Sequence, residues 1–162
     1  MKYVVLTMML IASPALAETG KRDLLGFSPG MTLASAKAFG ARRNFRCEVV
    51  PRAPFALYCT RGAETVRLLS GLLEGAPVYD VQLKVDIDDL ATGAQAVSKE
   101  FGRQPDFVPP SYERAQRYEW NLETGETVRL TKDSLNLINR KIFSENQEQE
   151  KAAGKSKQLP NF

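Results

Sequence analysis

Between Val78 and Ile87 apolar and polar residues alternate one for one. Tyr79, Val81, Leu83, Val85 and Ile87 share one face, and Asp80, Gln82, Lys84 and Asp86 share the other. A period of two with one apolar face predicts a half-buried antiparallel strand. Tyr118, Trp120 and Leu122 repeat the pattern, and Thr124-Gly125 predicts a hairpin turn into a strand at 126–131. A less regular strand is expected at 135–143, and short strands at 46–50 and 55–60 flank Pro51-Arg52-Ala53-Pro54. Helical spacing appears at Leu90, Ala94, Val97 and Phe101, with Asp88 or Asp89 to cap the start and Gly102 to stop it. A shorter helix is predicted after Thr32, turning Leu33, Ala36 and Phe39 inward and ending at Gly40.

These elements fall into a repeat. Glu64-Thr65-Val66-Arg67-Leu68 recurs unchanged as Glu126-Thr127-Val128-Arg129-Leu130, an offset of 62 residues. Lys37, Phe39 and Gly40 match Lys99, Phe101 and Gly102 in the same register, and Tyr58 meets Trp120. Self-similarity at a fixed period is the signature of repeated units. The sequence therefore predicts an α+β protein, a tandem repeat of helix plus antiparallel sheet with the helices packed on one face. The first unit is placed at 18–87 and the second at 88–143.

Both ends read differently. Lys2 precedes an apolar run from Tyr3 to Ile11, Ser13-Pro14 breaks it, and Ala15-Leu16-Ala17 supplies small residues for cleavage. That is the order of a secretory signal over residues 1–17. The run is about half the roughly 20 residues that a membrane span needs, so no integral membrane segment is expected after cleavage. The periplasm is the expected location, with secretion as the alternative. Residues 144–162 are polar and are expected to form a disordered tail.

Cysteine usage agrees with export. The chain has two, Cys47 and Cys59, and an even count in an exported protein favours a bridge. A redox-active pair usually needs Cys-x-x-Cys spacing, which is absent.

Candidate chemistry is sparse. There is no histidine, which excludes Ser-His and Cys-His nucleophile pairs, and no metal or cofactor motif is present. Removing residues 1–17 takes away Lys2 and no acid, leaving 21 basic against 19 acidic groups. That balance gives no reason to expect nucleic acid as a partner. Paired carboxylates could in principle serve a cell-wall hydrolase. The pairs available are Asp80 with Asp86 and Glu119 with Glu126, and solvated strand faces explain both.

The segment from Gly26-Phe27-Ser28-Pro29-Gly30-Met31-Thr32 to Gly40, followed by a cysteine pair bracketing a hairpin, resembles the superfamily of the β-lactamase-inhibitor protein and the outer-membrane assembly lipoprotein BamE. The resemblance covers mainly residues 26–59, and the internal repeat joins the second copy to it. It implies a helix-plus-sheet architecture and a habit of binding proteins in the cell envelope.

The most suggestive surface is basic. Between Lys37 and Arg61 the chain carries Lys37, Arg42, Arg43, Arg46, Arg52 and Arg61 against one acid, Glu48. Arginine and aromatic residues on a rigid loop are typical interface anchors. Arg42, Arg43, Arg52, Phe55 and Arg61 are therefore the candidate partner-binding residues. The expected function is an exported protein-interaction module, an envelope assembly factor or an inhibitor of another protein, whose partner is another envelope or secreted protein. The alternatives are the carboxylate hydrolase and a binder of an anionic or lipid ligand lined by Tyr118 and Trp120.

Overall fold

The computed structural model describes residues 22–112 and 115–154. The expected signal segment and residues 155–162 of the expected tail lie outside the described residues. Helix α1 spans Leu33–Arg42, followed by β1 (Arg46–Val50), β2 (Ala53–Arg61), β3 (Glu64–Ser70) and β4 (Val78–Lys84). Helix α2 (Leu90–Phe101) precedes β5 (Asp106–Val108), β6 (Arg117–Asn121), β7 (Glu126–Leu130) and β8 (Ser134–Asn139), and α3 (Arg140–Ala152) follows.

The expected tandem arrangement is not what the chain adopts. All eight strands join one continuous antiparallel sheet in the order β1-β2-β3-β4-β8-β7-β6-β5. Strand outweighs helix, 40% to 26%, which is more β-rich than a helix-plus-sheet tandem repeat. The physical reason is the pairing of β4 with β8, Val81 opposite Leu137 and Leu83 opposite Leu135, which leaves no boundary between two sheets. The recurring pentapeptides occupy β3 and β7 within this one sheet.

One face of the sheet is the core. Cross-strand partners build a row through Trp120, Val128, Leu137, Val81, Leu68 and Leu57, and beside it a row through Leu130, Leu135, Leu83, Val66 and Cys59. All of these side chains are buried in a single cluster with Ala36 of α1 and Leu90, Ala94 and Val97 of α2. Fully burying one such aliphatic side chain stabilises by about 1.5–3 kcal/mol, so these rows dominate the fold.

Local signals explain both core helices. Thr32 caps α1 by accepting a hydrogen bond from Ser35 N, and Asp89 caps α2 by accepting from Ala91 N. Gly102 ends α2 in the left-handed conformation at φ 61°. Gly40 does not end α1; it lies buried inside the last turn.

Helix α3 replaces the start of the expected disordered tail. Asn139 caps it by accepting from Ile142 N, and its buried residues are polar: Asn146 and Glu150. Asn146 donates to Pro77 O at 2.9 Å, and Glu150 accepts from Leu72 N at 2.6 Å. Its Phe143 ring packs against Tyr79 with centroids 4.9 Å apart. That contact corrects the expected placement of Tyr79 on the core face. The β3–β4 register shifts between Leu69 and Ser70, so Val78 and Val81 both reach the core and Tyr79 does not belong to it.

Candidate interaction surface

The disulfide anchors the region that the sequence singles out. Cys47 and Cys59 are bonded, and they are direct partners across the β1–β2 ladder with Cα atoms 4.0 Å apart. Strand β1 is thereby pinned to β2, while its other side has no neighbour among the described strands. Below the disulfide, Phe27 packs edge-on against Phe39 and Phe45, at 5.1 and 5.3 Å between centroids. The loop between α1 and β1 therefore rests on a small aromatic cluster.

The candidate arginines do not form one patch. Arg42 and Arg43 are exposed at the end of α1, ahead of β1, whereas Arg52 is exposed in the turn after β1. The five-residue strand between them is on the order of 15 Å long. Arg43 lies over the Phe39 ring, 5.6 Å from its centroid. Arg61 faces inward: its guanidinium stacks on Phe45 at 4.2 Å, pairs with Glu64 at 2.6 Å and donates to Arg43 O. It is a strut for the loop more than a docking group. Phe55 is half-buried on β2, and its carbonyl accepts from Ser70 Oγ.

Sequence reasoning passed over Val49 and Tyr58, which are 45% and 40% exposed. Tyr58, Arg46, Glu48 and Thr60 line a shallow depression on the sheet face turned away from the core. The signal for Tyr58 lay in the cysteines, whereas Val49 falls on the core side opposite buried Leu57 and is exposed because β1 is an edge strand. Once Cys47 opposes Cys59, the register makes Glu48 oppose Tyr58 and Val49 oppose Leu57.

Across that outer face runs a polar row: Glu48, Tyr58, Arg67, Gln82, Asn136, Arg129, Glu119 and Asp106 are successive cross-strand partners. Glu119 is buried and takes Arg117 Nε at 2.8 Å and Arg129 Nε at 2.9 Å, with Arg140 Nη2 at 3.9 Å. Burial pushes its carboxyl up, but the hydrogen bonds from Arg117 and Arg129 outweigh that and hold it below the ordinary glutamate value. Asp80 is pushed the other way. Burial raises it to about 6, against the hydrogen bond from Asn136 and the charges of Arg129 and Arg67.

Neither carboxylate pair considered for hydrolysis assembles. Glu119 shares its face with Arg129, while Glu126 alternates with the core residues Val128 and Leu130 on the other side. Asp80 is inside β4, whereas Asp86 is exposed beyond its end. The two residues expected to line a ligand seat are placed differently. Trp120 is 1% exposed under α2, with its indole N–H shared between Ser98 Oγ and Arg103 O. Tyr118, half-buried on the same face, stands 5.3 Å from the exposed ring of Phe107.

Among the described residues, no group of three or more Cys, Asp or Glu is placed to hold a metal ion, and no helix is long and apolar enough to cross a membrane. No family model, curated protein or solved structure matches the chain.

Proposed function

We propose that this chain is an exported protein-interaction module that recognises another envelope or secreted protein by shape and charge. The observation that carries the reading is a stapled, basic margin of the sheet: β1 pinned by Cys47–Cys59, with exposed Arg42 and Arg43 before it and Arg52 after it. Fixing the strand and loop in advance lowers the entropy lost on docking, which is how rigid anchors gain affinity. Exposed arginine beside Tyr58 is the residue chemistry that dominates protein interfaces. The disulfide supports an oxidising location, for which the periplasm is the first choice. An assembly factor and an inhibitor would both act this way.

The test is photo-crosslinking in intact cells of the source organism, with the crosslinker placed at position 42, at position 52, or at exposed Gln95 on α2 as a control. One protein adduct shared by positions 42 and 52 and missing at 95 is the expected result. Adducts at 42 and 52 no stronger than at 95 would reject the assignment.

A further inference from the structure

We propose that β1 is a docking edge: its outer side receives an extended acidic segment of the partner protein as an added strand. This rests on the interaction-module reading and supplies its mode.

The sheet has two edges, and they are not alike. Strand β5 is three residues long, with Pro105 before it and Pro109-Pro110 after it, the usual devices that keep an edge from pairing. Strand β1 is five residues long, contains no proline and is pinned by the disulfide; its pairing with β2 is regular from Arg46 to Val49, and the register shifts only at Val50, just ahead of Pro51. The register then decides which backbone groups it offers. A Cα separation of 4.0 Å places Cys47–Cys59 in a non-hydrogen-bonded pair, whose N–H and C=O groups point away from the partner strand. Val49, two residues on and opposite Leu57, belongs to the same class. Cys47 and Val49 therefore present their donors and acceptors outward, where no strand among those described takes them up. Extended peptides bind open sheet edges through such groups, with side-chain pockets adding specificity.

Charge selects the occupant. Arg42, Arg43 and Arg46 stand at the start of β1 and Arg52 stands just past its end. The one acid between them, Glu48, is taken by Arg46 at 2.7 Å. A second copy of β1 laid alongside in either direction would bring arginine against arginine, so self-pairing is opposed. A strand with acidic residues toward both ends is favoured, with an apolar side chain over exposed Val49. Opposed charge that excludes the wrong partner is how such edges gain selectivity.

The experiment uses the oxidised protein and a fluorescein-labelled ten-residue peptide of alternating valine and glutamate. A valine–lysine peptide and an all-glutamate peptide serve as controls. Anisotropy should show the valine–glutamate peptide binding more tightly than either control by about tenfold or more. Amide hydrogen exchange at Cys47 and Val49 should slow in the complex. Val49→Pro removes an outward N–H without breaking a β1–β2 bond, and it should weaken binding about tenfold. The triple reversal R42E/R43E/R52E should do the same, and it remains decisive if Val49→Pro does not fold. Equal binding of all three peptides, undiminished binding to the folded variants, or exchange slowed elsewhere than at Cys47 and Val49 would each overturn strand addition. If crosslinks at positions 42 and 52 persist through that outcome, the partner docks there by another mode and only the strand proposal falls.

Discussion

Gly40 and Cys47 touch so closely that nothing larger than glycine fits between them. A Cβ built on Gly40 lies 2.5 Å from the Cys47 sulfur and 3.5 Å from Cζ of Phe27. Glycine inside a helix ordinarily costs stability relative to alanine. Here it lets α1 lie flat on the disulfide, so the sequence accepts poor helix propensity in exchange for close packing. Gly40→Ala should therefore destabilise the protein by about 1–3 kcal/mol, against the gain that alanine gives at an open helix position. Thermal denaturation of the oxidised protein checks it; a raised midpoint would mean that α1 has room to lift.

Opening the disulfide should cost more. Cys47 and Cys59 close a loop with a sequence separation of 12, for which chain entropy suggests about 3 kcal/mol. Unfolding free energies extrapolated from urea titrations of the protein and of the C47S/C59S variant should differ by that amount. Because Cys59 has no exposed surface and Cys47 has 9%, native protein should resist mild reductant until denaturant is added.

Glu119 organises three arginines from a buried position. Removing its charge in Glu119→Gln leaves Arg117 and Arg129 facing an uncharged amide and should cost about 3 kcal/mol at neutral pH. The pH sign follows from its lowered value in the folded state. The stabilisation is present above the unfolded value, near 4, and is lost as pH falls through the still lower folded value. Melting curves between pH 5 and pH 2 should show the wild type losing stability and the glutamine variant losing less.

Asp80 has the opposite sign and a separate window. Its folded value of about 6 lies above its ordinary 3.8, so its contribution is full below pH 4 and is lost as pH rises through 6. Asp80→Asn should leave stability unchanged near pH 4 and raise it by about 1–3 kcal/mol near pH 7.5. The amide can still accept from Asn136, which now donates to the carboxylate at 3.2 Å. Equal stability of the two proteins at both pH values would show that the carboxylate is solvated.

The elements whose signals are local were legible. Strand β1 occupies the predicted 46–50, Thr32 and Asp89 cap the helices as their types suggest, Gly102 stops α2, and the cysteines pair. What failed depends on distant partners. Alternation along β4 says that one face is buried but not that β8 lies alongside, so the sequence suggests two units where the chain builds one sheet. Helix α3 buries Asn146 and Glu150 in place of an apolar stripe, and a polar run without periodicity reads as a tail. A register shift of one residue moved Tyr79 off the core face. Around the candidate surface, sequence proximity suggested a cluster of arginines, whereas strand geometry separates Arg43 from Arg52 by the length of β1 and turns Arg61 onto Phe45.

The position of β8 also bears on how the protein is made. It lies between β4 and β7, yet it is the final strand of the described chain in sequence order. During synthesis the apolar flanks of β4 and β7 stay unsatisfied until Leu135 and Leu137 arrive to bridge them. A chain interrupted after residue 130 would hold β4 and β7 without the strand that joins them, each with an unpaired apolar margin open to aggregation.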